Sequence, residues 1–224
     1  MSAKALHEGA VLVVGLGRFG SALAEGLQRL GHEVLAVDMS TELVQEYSDR
    51  LTHVAQVDAT SATAMRQIGA HEFDIAVVAI GTGIEASLLS TGVLIDLGIR
   101  EIWAKAITTA HGRLLERIGA GHVVYPERDT GKRVAHLLNG RLMDYIEFDD
   151  GYAIVKMRAP RQAWDKTLQE AALRTKYGVT IVGVKRPGQD FTHALPDTHV
   201  HPGDLVIVSG HVDLIEEFAT TADA

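Results

Sequence analysis

A glycine-rich turn near the amino terminus constrains the fold of this chain more than any other stretch. The apolar run Val11–Val14 predicts a buried parallel strand, and Gly15, Gly17 and Gly20 follow it with G-x-G-x-x-G spacing. Gly15 allows a tight turn, Gly17 lets a diphosphate approach the backbone, and Gly20 lets the following helix pack closely on the strand. Because that helix begins at the turn, its amino terminus is predicted to attract phosphate groups.

The acidic residue Asp38 ends the next predicted strand, which covers residues 33–38. It lies about 20 residues beyond the glycines, the distance expected for a carboxylate that binds ribose. Such a carboxylate accepts hydrogen bonds from ribose hydroxyls and repels a 2′-phosphate, which favours an adenine nucleotide or NAD over NADP. The alternative is that Asp38 caps the helix that starts near Ser40.

Arg18 stands between the second and third glycines. A guanidinium beside the phosphates adds a fixed positive charge and a bidentate hydrogen-bond donor. It therefore suits a terminal phosphate, such as that of ADP or ATP, at least as well as it suits NAD. The alternative is a solvated arginine that contacts no ligand.

Strands and helices alternate after Asp38 up to about residue 125. Further strands are predicted over 53–57, 74–80, 101–105 and 122–125, and helices over 41–50, 62–68, 84–97 and 109–118. This alternation predicts an α/β fold, a doubly wound parallel sheet of the Rossmann type with helices on both faces.

Pro126 opens a predicted amphipathic helix over residues 126–145, which carries one apolar stripe. We interpret this helix as a connector that packs on another subunit, although packing on its own domain fits the pattern equally well. The stripe consists of Val134, Leu137, Leu138, Leu142 and Tyr145. The first domain is predicted to span 1–145, and a small α+β module to span 146–224. That module is predicted to have strands at 152–157, 179–184 and 204–208 and helices at 166–173 and 212–218.

Composition narrows the class of protein. The net charge is −8 without a basic block, which argues against nucleic acid or an anionic membrane surface as a direct partner. The chain has no cysteine, which fits a cytoplasmic protein, and no apolar run approaches the length of a membrane span. Motifs typical of short-chain hydride transfer, zinc hydrolysis or a nucleophile elbow are absent from the sequence, so we predict neither a catalytic residue nor an enzyme.

Several charged residues are predicted to collect at the carboxyl edge of the sheet, where ligands of such folds bind. Asp58 would contact an adenine amine or the partner ribose, and Lys105 would pair with a phosphate. For both residues the alternative is a solvated loop charge. Glu127 directly follows the sixth predicted strand, where it would reach a cation beside the phosphates or simply favour the first turn of its helix.

Several segments of the sequence resemble those of a known family. The segments that carry the resemblance are 15–20, 36–38, 78–81, 102–105, 118–120 and 126–129 in the first domain, and 176–179 and 202–210 in the second. Together they resemble the RCK domains that regulate potassium conductance. The regulatory subunits of bacterial Ktr transporters are the nearer relatives, and those of Trk transporters come next. The second domain would then be an RCK C-lobe.

The resemblance implies a cytosolic, octameric ring of dimers, peripheral to the membrane, that docks on a membrane-embedded potassium-translocating subunit and gates it. It implies ATP, ADP or NAD(H) in the cleft, with Na⁺ or Mg²⁺ near Glu127. Cyclic di-AMP at the C-lobe is a further expectation, for which no residue is assigned. An NAD-dependent oxidoreductase or redox sensor is the alternative function. The predicted nucleotide-binding residues are Gly15, Gly17, Arg18, Phe19, Gly20, Asp38, Met39, Ser40, Asp58, Ala59, Ile80, Gly81, Lys105, His111 and Glu127.

Overall fold

The structure is a computed structural model that describes residues 9–138 and 140–221. The chain separates into two compact units, of which the first ends at Glu127 and the second begins at Arg128. Each unit has its own apolar core, and the two are described in turn. Among the helices that the structure describes, none is long and apolar enough to cross a membrane.

The first unit contains a sheet of six parallel strands in the order β3-β2-β1-β4-β5-β6. The strands are β1 (Val11–Val14), β2 (Val34–Asp38), β3 (His53–Gln56), β4 (Ile75–Val78), β5 (Glu101–Lys105) and β6 (His122–Val124). This order confirms the predicted Rossmann-type sheet. The strand order reverses between β1 and β4, and the crevice at such a reversal is where ligands bind.

Helices cover both faces of this sheet. They are α1 (Arg18–Arg29), α2 (Thr41–Ser48), α3 (Ala62–Gln67), α4 (Ile84–Asp96) and α5 (Thr109–Ile118). Because successive side chains of a strand point to opposite faces, Leu12 and Val14 pack with α3, α4 and α5, whereas Val11 and Val13 pack with α1 and α2. The central strand is therefore buried on both sides, as its continuous apolar sequence predicted.

Two glycines bring α1 against the end of β1. Gly15 has φ of +100°, in the region that favours glycine. A Cβ atom placed on Gly20 would lie 1.9 Å from the carbonyl oxygen of Gly15 and 2.9 Å from Cβ of Ala79. The first helix can therefore approach this closely only because residue 20 has no side chain.

The second unit is built on a five-stranded antiparallel sheet in the order β11-β10-β13-β8-β7. Its strands are β7 (Leu142–Glu147), β8 (Tyr152–Arg158), β10 (Thr180–Lys185), β11 (Phe191–His193) and β13 (Leu205–His211). The unit also contains a short antiparallel pair, β9 (Lys166–Thr167) with β12 (His199–Val200), and three helices, α7 (Leu168–Ala171), α8 (Leu173–Tyr177) and α9 (Val212–Thr221). This arrangement confirms the predicted small α+β lobe.

The helix that begins at Pro126 is shorter than predicted. Helix α6 covers Pro126–Leu138, and Leu142 and Tyr145 lie in β7, where they pair with Met157 and Val155 of β8. The prediction of a helix as far as residue 145 is therefore wrong. Gly140, with φ of +76°, has the left-handed backbone that commonly follows a helix end. The prediction failed because Leu142 and Tyr145 are three residues apart, a spacing that also fits the apolar stripe of a helix.

The predicted helix over 166–173 is also wrong in part. Residues 166 and 167 form strand β9, and Ala172 separates two short helices because its backbone is left-handed, with φ of +50°. Thr167 caps the first of these helices in a capping box with Glu170. The short strands β11 and β12 were not predicted, since strands of two or three residues carry too little periodicity to be recognised.

The close contact at Gly20 predicts a strong effect of one added methyl group. We expect Gly20→Ala to lower the free energy of unfolding by about 1–3 kcal/mol, because the Cβ meets a backbone oxygen that cannot easily move. Gly26→Ala, on the same helix, is the matched control. Its Cβ would meet only the end of the Arg29 side chain at 3.9 Å, so a gain of up to about 1 kcal/mol is expected. Thermal unfolding of the two variants is the measurement, and equal midpoints would show that the contact at Gly20 does not limit the approach of α1.

Candidate functional site

The glycine-rich turn leaves the amino terminus of α1 open. The amide of Gly15 donates to the carbonyl of Val37 at 2.7 Å, which ties the turn to β2. Gly17 is the N-cap residue of α1, and no side chain caps the helix. A Cβ on Gly17 would meet nothing within 4 Å, so open space lies above the backbone at this position. Free amides, a positive helix end and room for a ligand fit a bound phosphate group.

Asp38 joins the two loops that border this turn. Its Oδ2 accepts a hydrogen bond from the Leu16 amide at 2.7 Å, and its Oδ1 accepts one from the Ser40 amide at 2.8 Å. The cap of α2 is the Ser40 hydroxyl, which accepts from the Leu43 amide at 3.3 Å, so helix capping does not account for Asp38. Each carboxylate oxygen retains a second acceptor position, which is available to a ribose hydroxyl.

Lys105, at the end of β5, brings a buried positive charge to the same edge. Only 9% of its side chain is exposed, and its Nζ donates to Oε1 of Glu127 at 2.5 Å. The ammonium lies 5.7 Å from the centre of the Phe19 ring. It would also lie 3.1 Å from a Cβ on Gly81, so the glycine leaves room for it.

Glu127 is the exposed partner of this ion pair, with 67% of its side chain accessible. The hydrogen bond from Lys105 is the main reason why the pKa of Glu127 lies below its usual range, and the charge of Arg18 contributes as well. Arg18 itself is exposed on the first turn of α1. Two cations and one carboxylate therefore share the surroundings of the open helix terminus.

The remaining predicted residues differ in their exposure to solvent. Met39 is exposed, Ile80 half-buried and Ala59 buried. Asp58 is exposed and accepts from the amide and hydroxyl of Thr60 at 2.9 and 2.7 Å, which lowers its pKa. No described contact joins these residues to Lys105 or Asp38, so their roles in ligand binding stay predictions.

His111 lies in the core near the start of α5, where it is 1% exposed. Its Nδ1 accepts a hydrogen bond from the Ile107 amide at 3.3 Å, and burial lowers the pKa of the ring. This places the proton of the neutral ring on Nε2. A direct contact between His111 and a nucleotide stays a prediction.

Sequence reasoning did not identify two contributors to this edge. One is the backbone of Leu16, whose amide is held by Asp38. The other is Gly83, the N-cap of α4, which likewise has no side-chain cap and lies just beyond β4. The glycines on either side of Thr82 were the available signal for this second open helix terminus. Within residues 9–138 and 140–221, no group of three or more potential metal ligands was found.

Fold and site together define a Rossmann-type nucleotide-binding domain followed by a small antiparallel lobe. Residues 11–126 match the TrkA-N domain, and residues 154–222 match the TrkA-C domain. The chain therefore belongs to the family of proteins with TrkA-N and TrkA-C domains.

Two proteins of bacterial Ktr systems are similar to this chain over most of its length. The chain is 37% identical to the Ktr system potassium uptake protein A of Bacillus subtilis over 207 residues, 92% of this chain and 93% of that protein. It is 35% identical to the protein of the same name from Vibrio alginolyticus over 204 residues, 90% and 92% of the two chains.

Two solved structures support the fold independently. The RCK domain of GsuK has a TM-score of 0.66 with 18% identity, covering 96% of this chain and 48% of that one. The GsuK channel bound to NAD has a TM-score of 0.52 with 23% identity, covering 96% and 39%. This chain thus spans about half, or less, of the GsuK chains that it matches.

The double hydrogen bond of Asp38 predicts a local loss of order. In Asp38→Ala, the amides of Leu16 and Ser40 lose their acceptor, and we expect about 1–3 kcal/mol less stability. Hydrogen exchange at these two amides should become faster. Asp49→Ala, at the exposed end of α2, is the matched control, because within the described part of the chain its side chain accepts no hydrogen bond. Unchanged exchange at Leu16 would show that Asp38 does not hold the turn.

Proposed function

We propose that this chain is a nucleotide-binding regulatory subunit that gates a membrane-embedded potassium transporter or channel. One observation carries the proposal: Arg18, Lys105 and Glu127 surround an uncapped helix terminus at the reversal point of the parallel sheet. That is a site for a polyphosphate. The two Ktr proteins are named for potassium uptake, which supports the choice of partner.

The ligand would be ATP, ADP or NAD(H). Asp38 would accept from the ribose, the amides of α1 would bind the diphosphate, and Lys105 and Arg18 would contact the phosphates. The GsuK channel has been solved with NAD, which supports a nucleotide of this class. With Na⁺ or Mg²⁺ beside the phosphates, Glu127 would supply one carboxylate ligand. The alternative function, an NAD-dependent oxidoreductase or redox sensor, shares this fold and would be revealed by steady consumption of NADH with a carbonyl substrate.

Regulation would follow from differential binding. A nucleotide that binds one conformation of the assembly better than another shifts the population toward it, by no more than the difference in affinity. The conformation of the membrane partner would then change with that of the assembly. The bound nucleotide supplies binding free energy in this scheme, and the chain's own residues decide how much of that energy differs between ATP and ADP.

The proposed assembly is a ring of dimers, an octamer on the cytoplasmic side of the membrane. Helix α6 offers apolar side chains for a subunit contact, since Leu138 is 81% exposed and Val134 is 44% exposed. Burial of such side chains against a partner subunit would stabilise the assembly. Cyclic di-AMP at the C-lobe remains part of this proposal as a second possible ligand.

Arg18 should discriminate between nucleotides. A guanidinium that contacts only the last phosphate of ATP strengthens ATP binding and leaves the contacts with adenosine unchanged. We expect Arg18→Ala to weaken ATP binding by roughly ten- to a hundredfold, with a smaller effect on ADP. Paired dissociation constants for ATP and ADP are the measurement. Arg29→Ala, at the opposite end of α1, is the control. An equal loss for both nucleotides would make Arg18 a general phosphate contact.

The exposed stripe of α6 should hold subunits together. Leu138→Asp would bury a charge in an apolar contact, and the species observed by native mass spectrometry should become smaller. Leu30→Asp is the matched control, because Leu30 is 78% exposed at the end of α1, outside the proposed contact. If Leu138→Asp keeps the mass of the wild-type assembly, α6 does not form the subunit contact.

A further inference from the structure

Lys105, the buried cation that a phosphate would need, is already paired with Glu127. Lys105 Nζ donates to Oε1 of Glu127 at 2.5 Å. About nine-tenths of the Lys105 side chain is buried, whereas Glu127 is 67% exposed. The carboxylate therefore lies on the solvent side of the ammonium, which is the side from which a ligand arrives.

Besides Glu127, two residues border the ammonium of Lys105. The centre of the Phe19 ring lies 5.7 Å from Nζ, and a Cβ atom placed on Gly81 would lie 3.1 Å from it. An incoming phosphate would have to displace Glu127 from Nζ or accept a like charge beside it, and either event opposes binding. Arg18 is too exposed to replace the buried ammonium as a fixed partner.

We propose that Glu127 is a built-in competitor for phosphate, so that its ion pair with Lys105 sets the nucleotide affinity of the site. The proposal rests on the proposed function, because it requires that a nucleotide phosphate binds at this edge. When a phosphate binds the Lys105 ammonium, the Glu127 carboxylate is released from Nζ. The same exchange thus couples nucleotide binding to the position of the first residues of α6, the helix that leads into the second unit.

The test measures dissociation constants for ADP and adenosine by titration calorimetry, in a choline chloride and Tris buffer with EDTA, so that no Na⁺ or divalent ion binds Glu127. We expect Glu127→Gln to bind ADP about tenfold more tightly than the wild type, since it removes the competing charge-assisted bond. Adenosine, which has no phosphate, should bind equally to both. Glu116→Gln removes the same charge from the exposed face of α5 and should leave ADP affinity unchanged.

A double-mutant cycle shows whether Glu127 acts through Lys105. In a Lys105→Gln background, Glu127→Gln should no longer tighten ADP binding. If it gives the same gain there, Glu127 merely repels phosphate and the competition is disproved. A weaker or unchanged ADP affinity of Glu127→Gln alone would also disprove it.

A direct measurement covers the case in which Lys105→Gln does not fold. The side-chain carboxyl ¹³C resonance of Glu127, assigned by its absence in Glu127→Gln, should shift when ADP is added to the wild type. A resonance that does not move under saturating ADP contradicts the exchange. If the wild type binds neither ADP nor NAD, the proposed function itself fails, and this outcome is distinct from all the others.

Discussion

The contact between the first helix and the end of the central strand is the constraint on which the rest of the structure depends. Gly20 rests against the carbonyl of Gly15, which places the amino terminus of α1 directly over the sheet edge. β1 lies between β2 and β4, so the side chains and loops that follow those strands surround the same helix terminus. Asp38 then joins the β1 and β2 loops through two short hydrogen bonds. A backbone contact available only to glycine therefore organises the cleft.

Side chains of both charges lie together at the carboxyl edge of the parallel sheet. Lys105 is buried and paired with Glu127, which faces solvent from the first turn of α6, and Arg18 is exposed. Under the exchange proposed above, this arrangement would have two electrostatic states, one with the ion pair closed and one with the lysine bound to phosphate. The site would then respond to nucleotide by exchanging the partner of Lys105, as a regulator requires.

Much of the first unit could be predicted from the sequence, because each signal there is local. The apolar run 11–14, the glycine spacing and Asp38 reflect backbone geometry and strand order, so their places in the fold were correct. Contacts between residues far apart in the sequence were harder to predict. The pairing of Lys105 with Glu127 joins residues at the ends of different elements, and no spacing rule reveals it. The burial of the His111 ring is likewise visible only in the packed structure, and its contact with a nucleotide stays a prediction.

The errors in the second unit have a common cause. Leu142 and Tyr145 are three residues apart, a spacing that fits a helix, yet tertiary pairing with β8 makes them part of a strand. In the 166–173 segment, the left-handed backbone of Ala172 interrupts a helix that the local sequence favours. Local propensity is a weak determinant where a short segment can gain more by completing a sheet or a turn.

Equilibrium titration of the purified chain with ADP, ATP, NAD and NADH decides whether the cleft binds a nucleotide. We expect saturable binding of adenine nucleotides at one site in each chain, and different affinities for ATP and ADP. If titration calorimetry detects no binding of any of the four nucleotides, the cleft is not a nucleotide site and the regulatory account is contradicted.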